Sequence, residues 1–197
     1  ERGFIDALSE TLLRKAAEAA LYWPHDLFLS FNLSSAQLMD PGTSQSILAT
    51  LAQVGLDPRR LELEITETAV MTSADTAHRI IADLQAHGVR ISLDDFGTGQ
   101  SSLGRLRDFT FDKVKIDRAF VSQITTDRAS EHIVKAIVAM CAGLDLEVVA
   151  EGIESVADAE KLTALGCEMG QGYYYGKPVD AAATQRYLQQ HYGTPRS

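Results

Sequence analysis

Cysteine, basic charge and long apolar runs are the three things this sequence has little of. Its two cysteines, Cys141 and Cys167, share no CxxC or Cys/His spacing, which argues against a disulfide framework or a zinc site and leaves two buried thiols of a reducing compartment. Lysine and arginine number 18 against 27 acids, a net charge of −9, so the surface is not one that wraps a nucleic-acid polymer. A small anionic ligand would need a metal or a local basic group. No apolar run reaches the roughly 18 residues that cross a bilayer, and the N-terminus lacks the basic, apolar, small-residue pattern of a secretory signal. The expectation is a soluble, cytoplasmic domain making no membrane contact itself, in a parent chain that a membrane anchor elsewhere would still suit. The five histidines share no ligand spacing and are read as surface or satisfied side chains.

What the sequence does contain is one repeating organisation without a linker or low-complexity tract, read as a single domain over residues 1–197. Ile5, Leu8, Leu12, Leu13 and Ala16 mark the apolar stripe of a first helix, followed by Trp23-Pro24 and a strand. Further helices are expected near 44–54, 74–87, 129–142 and 156–165. Each stops at a glycine (Gly55, Gly88, Gly143, Gly166) that suits a left-handed cap. Ser155 with Asp158 resembles a capping box, and Ile133, Val134, Ile137, Val138 and Cys141 give another helix its buried stripe. Alternating helix and strand predict an α/β fold with a parallel sheet.

Six strands are counted, the last being the short run after Gly166 that leads to Gln171. The other five, within LFLSFNLS, LELEITE, RISLDDFGTG, FDKVKID and LEVVAEGIES, start apolar or β-branched and end on Asn32, Glu64, Asp94-Asp95, Lys115 and Glu151. Buried parallel strands that open onto a site read this way. One reactive group at the tip of each successive strand is the mark of a catalytic barrel. Six strands would also satisfy an open doubly wound sheet, but such a sheet gathers its ligand at one switch point from a few strands. The expected fold is a TIM-like (β/α)8 barrel whose first two strands are absent from this chain.

Asn32, Glu64, Asp94, Asp95 and Glu151 are hard oxygen donors. Four carboxylates in one mouth would repel each other unless cations neutralised them, which points to Mg²⁺ or Mn²⁺. Adjacent aspartates project in different directions from a strand end, so one can bridge two ions while the other completes the second. Lys115 can orient an attacking water or stabilise charge on a phosphate. Two look-alikes carry nothing. Asp95-Phe96-Gly97 spells a kinase triplet without the accompanying glycine-rich, VAIK or HRD segments, and Gly97-Thr98-Gly99 is too short for a dinucleotide fingerprint.

Taken in order, NLS at 32–34, ELEITET at 62–68, DDFGTGQSSL at 94–103, KVKIDRAFV at 113–121, VVAEGIES at 148–155 and QGYYYGKPV at 171–179 resemble the EAL-domain family. These are phosphodiesterases that open the bacterial second messenger cyclic di-GMP to linear pGpG. The resemblance implies that Asn32, Glu64 and Asp94 would hold a first ion and Asp94, Asp95 and Glu151 a second. It makes Lys115 the contact of the nucleophilic water and Glu151 a candidate general base. Gln171 would line the site, and Glu67 would brace the loop from Phe96 through Gly97 to Ser102, which seats the second aspartate and communicates with a dimer interface. Asp117 and Glu154 would play supporting roles. The family also implies two Mg²⁺ or Mn²⁺ per site with Ca²⁺ inhibitory, a homodimer, and a sensory or GGDEF domain in the parent chain.

Two departures accompany the match. The Glu-Ala-Leu motif, whose glutamate is a metal ligand and whose nearby arginine holds a phosphate, does not occur in the sequence; Ala7-Leu8 follows Asp6 on a helix and is not that motif. Gln100 stands where the family usually carries an aromatic or other residue. A catalytically inactive cyclic di-GMP receptor and a regulatory dimerisation module are the alternatives to the hydrolase, and the filled donor set disfavours both. An unrelated metal-dependent barrel lyase is disfavoured by DFGTGQSS.

Overall fold

The computed structural model describes residues 2–72, 74–97 and 109–192. In chain order its elements are α1 (Arg2–Ala20), β1 (Leu29–Asn32), α2 (Ser35–Leu38), α3 (Thr43–Val54), a 3-10 turn (Pro58–Arg60), β2 (Leu61–Thr66), α4 (Glu67–Thr72), α5 (Ala74–Ala86) and β3 (Arg90–Phe96). Then follow β4 (Lys113–Ile116), α6 (Arg118–Val121), α7 (Arg128–Gly143), β5 (Glu147–Glu151), α8 (Val156–Ala164), β6 (Met169–Gln171) and α9 (Ala181–Tyr192). The six strands run in sequence order, with β1 and β6 at the two ends. Two compact units emerge. One holds the chain up to Ile65, Ala69–Arg90 and the chain from Pro178 on, and the other holds Thr66–Thr68 and Ile91–Lys177.

In the first unit β1 and β2 pair in parallel, from Leu29 opposite Leu61 to Asn32 opposite Glu64. β2 is buried from Leu61 to Ile65 on both faces, as a central parallel strand must be. The helix α1 packs on α3 through Leu13, Ala17 and Ala20, which are at most 3% exposed, while Leu8 and Leu12 are about half exposed. The expected stripe is thus corrected. Two alanines complete the buried face, and Leu12 lies about 100° round the helix from Leu13.

Arg60 closes α1 from a distance. Its guanidinium donates to the carbonyls of Ala20 (2.9 Å), Pro24 (3.2 Å) and Leu27 (3.0 Å), tying the end of α1 and the following turn to the residue that enters β2. Arg60→Ala is expected to cost roughly 2–4 kcal/mol, since several carbonyls lose their donor at once. A denaturant midpoint measures it, and Arg60→Lys should recover little because an ammonium cannot span the same carbonyls.

In the second unit β3 to β6 form a parallel ladder, with Val114 opposite Val148, Lys115 opposite Val149 and Glu151 opposite Gln171. The core is Leu93, Val114, Ile116, Ala150, Ile153 and Leu162, with Val134, Ile137 and Cys141 of α7 laid on β4 and β5. Ile133, expected in that stripe, is 39% exposed. The capping box of α8 is present: Ser155 Oγ accepts from the Asp158 N–H (3.2 Å) and the Asp158 carboxylate accepts from the Ser155 N–H (3.1 Å).

Gly143 is a second correction. The helix α7 runs through it to a cap at Leu144, and the left-handed turn is made by Asp145 at φ 57°, with the Leu146 N–H returning to the Cys141 carbonyl. Aspartate is one of the few side chains that tolerates this conformation. At the other end of α7, Asp127 accepts from the Ser130 hydroxyl and from the N–H groups of Ser130 and Ala129, which together hold its carboxyl below the usual range. A lowered folded-state pKa stabilises the fold above the ordinary carboxylate value and is lost as pH falls through the lowered one. Asp127→Ala is therefore expected to lower the melting midpoint at pH 7, with the difference from the parent closing as pH falls below about 4.

Both cysteines are buried and free of a disulfide. Burial pushes the Cys141 thiol up to about 11, aided by Cys167, and raises Cys167 too, which leaves both poor nucleophiles. Among the described residues no helix is long and apolar enough to cross a membrane.

Candidate functional site

The C-terminal ends of β3, β4 and β5 bring Asp94, Asp95, Lys115 and Glu151 together. Between Leu93 and Phe96 the register against β4 shifts, so Asp94-Asp95 sits in a bulge. Asp95 there takes φ 54°, and its N–H donates to Asp94 Oδ1 at 3.0 Å. A bulge re-aims side chains at a strand end, which lets two adjacent carboxylates serve one centre. Lys115, 4% exposed on the middle strand, reaches Glu151 Oε1 at 2.6 Å and Asp94 Oδ1 at 3.3 Å.

One ammonium thus faces three carboxylates. Asp94, Asp95 and Glu151 each offer an oxygen, and the three oxygens lie within 4.8 Å of one another. Burial raises the Asp95 pKa first, then the charge of Asp94, then a hydrogen bond shared with Asp117, with Lys115 opposing the shift. The donors of the cluster are all hard oxygen, and it fits a divalent cation of the Mg²⁺ or Mn²⁺ kind.

The residues expected to support the site stand as follows. Asp117, one residue beyond β4, caps α6 by accepting from the Ala119 N–H (2.7 Å) and meets Asp95 on its other side. Phe96 is buried, and Gly97 at φ 100° has Phe120 where a side chain would stand. Gln171 is the register partner of Glu151 and is exposed. Glu154 pairs with Arg118. Glu67 opens α4, half-buried. Most of the loop that Glu67 is expected to brace, together with Gln100, lies outside the described residues.

In the first unit Asn32, the last residue of β1, is the register partner of Glu64, two residues before the end of β2, and the Leu33 N–H donates to the Glu64 carbonyl at 2.9 Å. Glu64 is 8% exposed, and Ser30 Oγ donates to its carboxylate at 2.6 Å. Sequence reading passes over two partners here. Glu62 is 2% exposed, lies 3.5 Å from the same hydroxyl and 3.8 Å from Arg90. The signal was available, because period two puts residues 30 and 32, and 62 and 64, on common faces.

Comparison with known proteins follows the same lines. The model of the EAL domain matches residues 1–178. MucR of Pseudomonas aeruginosa, a bifunctional diguanylate cyclase and cyclic di-GMP phosphodiesterase, is 39% identical over 183 residues, which make up 91% of this chain and 27% of that protein. The chain spans about a quarter of the length of the curated relatives it matches. A solved structure of the MucR phosphodiesterase in complex with cyclic di-GMP superposes with a TM-score of 0.88, covering 92% of this chain and 75% of that one. The EAL domain of Mycobacterium smegmatis DcpA gives 0.85 at 32% identity, covering 93% and 84%. Klebsiella pneumoniae BlrP1, solved with cyclic di-GMP and manganese, gives 0.78 at 29% identity, covering 86% and 43%. A second BlrP1 structure carries calcium with the same dinucleotide and gives 0.77, covering 85% and 42%.

Proposed function

Since the chain belongs to the EAL-domain family of TIM-barrel-like phosphodiesterases, we propose that it hydrolyses cyclic di-GMP to linear pGpG with divalent cations bound at its strand ends. The observation that carries this reading is the contact of Lys115 with both Glu151 and Asp94 inside a cluster of three converging carboxylates. Asp94, Asp95 and Glu151 would hold an ion, and Asn32 and Glu64 are the further oxygen donors that the family resemblance implies. Bound Mg²⁺ or Mn²⁺ supplies charge neutralisation for the phosphate and a water of lowered pKa.

The chain's own groups do the rest. Lys115 holds fixed positive charge where a phosphorane gathers negative charge, and Glu151, in contact with it, would be the general base that takes a proton from water. Asp117, by its hydrogen bond to Asp95, orients the second aspartate of the bulge. The balance is simple: water oxygen bonds phosphorus, the bond to one ribose 3′ oxygen breaks, and that oxygen leaves as a hydroxyl. Gln171, Glu67, Phe96, Gly97 and Glu154 would shape and support the site, in a single cytoplasmic domain that acts as a homodimer beside a sensory or GGDEF domain of the parent.

Incubating the purified protein with cyclic di-GMP and Mg²⁺, then separating the nucleotides, tests the reading. Linear pGpG is the expected product. Tight binding with no product would make the protein a receptor.

A further inference from the structure

We propose that Arg118 and Glu154, on the rim of this cluster, read the edge of a guanine base in the ligand; this rests on the cyclic di-GMP reading above. The two residues hold equivalent places, three residues beyond Lys115 and three beyond Glu151. Arg118 is laid across Gly152, which is at φ 74°, and a Cβ there would overlap the arginine's stem, so the glycine makes the seat on which the arginine lies beside Glu151. Its guanidinium pairs with the Glu154 carboxylate, with the side chains 63% and 50% exposed. An ion pair so exposed adds little to stability. Its hydrogen bonds are free to be exchanged for those of a ligand.

The neighbouring strand end leads into a segment that carries an exposed aromatic ring. The Ile153 N–H donates to the Gln171 carbonyl (3.1 Å) and the Tyr174 N–H to the Ile153 carbonyl (3.0 Å), and Gly172 leaves no room for a Cβ against the Ile153 backbone. The segment carrying Glu154 is thereby zipped to the segment carrying Tyr173, a ring 57% exposed with the Lys177 ammonium 5.6 Å from its centre. A purine can stack on such a ring.

The chemistry selects the base over the phosphate. A carboxylate beside the arginine repels a phosphate, whereas guanine presents two adjacent donors, N1–H and the 2-amino group, to a carboxylate and the acceptors O6 and N7 to a guanidinium. Adenine has an acceptor at N1 and no 2-amino group. Against adenine Glu154 meets the N1 lone pair and can accept only from the 6-amino group, so it favours guanine.

Calorimetry of the purified protein with cyclic di-GMP and with cyclic di-AMP, in Ca²⁺, tests the assignment. Wild type should prefer the guanine ligand. The isosteric Glu154→Gln should weaken cyclic di-GMP on the order of 10- to 100-fold while leaving cyclic di-AMP within about twofold, and Arg118→Ala should weaken cyclic di-GMP selectively as well. Equal loss for both ligands, or no loss in either variant, overturns the inference. If base preference shifts as expected but pGpG never forms in Mg²⁺, the base-reading inference stands and the hydrolase reading falls. Turnover with no base preference does the reverse.

Discussion

Lys115→Ala is expected to lower kcat for cyclic di-GMP by roughly 10²- to 10³-fold, the usual effect of removing one preorganised donor from a charge-stabilising site. The side chain is nearly buried and already aimed, in contact with Glu151 on one side and Asp94 on the other. No reorganisation is needed as charge builds on phosphorus. KM should stay within a few-fold, because the ground-state phosphate carries less of that charge. Lys115→Arg should not restore the rate, since a planar fork does not fit the space of a single ammonium held between two carboxylates. Steady-state kinetics in Mg²⁺ measures the split, and a loss under tenfold in kcat would remove Lys115 from the chemistry.

Glu151→Gln is expected to abolish measurable turnover while leaving cyclic di-GMP bound with a Kd within about tenfold of the parent. A general base is worth on the order of 10²- to 10⁴-fold by itself, and this carboxylate is also one of the three converging donors. The amide keeps size and shape but neither accepts a proton nor carries charge. Affinity should survive because the ligand's two bases and second phosphate offer contacts that do not need this carboxylate. Calorimetry beside a product assay separates the cases, and equal loss of binding and turnover would make Glu151 a structural residue.

How far the sequence carried can be judged residue by residue. Asp94 and Glu151 were legible because each ends a run of largely apolar or β-branched residues, so a polar side chain there has to have a use, and Lys115 because a lysine stands inside an apolar strand. Glu62 was hidden inside such a run, where its burial against Ser30 and Arg90 depends on partners some thirty residues away in sequence. Arg60 was hidden for the same reason, since nothing near Ala20 announces its cap. The paired aspartates signalled a site but not its backbone: the left-handed Asp95 and the register shift are features of the pairing with β4, a strand some twenty residues further on. Helix ends were read from glycines, which held at Gly55 and Gly166 but failed at Gly143, where Asp145 makes the turn two residues later. The stripe of α1 held at Leu13 and missed at Leu8 and Leu12, because periodicity weights leucines above alanines while Ala17 and Ala20 complete the buried face.

Hydrolysis of cyclic di-GMP in ¹⁸O-water by chelator-stripped protein, with and without added ions, tests the carboxylate cluster as a metal-dependent phosphodiesterase site most directly. With Mg²⁺ or Mn²⁺ the product should be linear pGpG carrying one ¹⁸O on its 5′ phosphate, with no turnover in chelator and binding without turnover in Ca²⁺, a larger ion with looser coordination. Turnover that persists at full rate in the stripped protein would contradict the account.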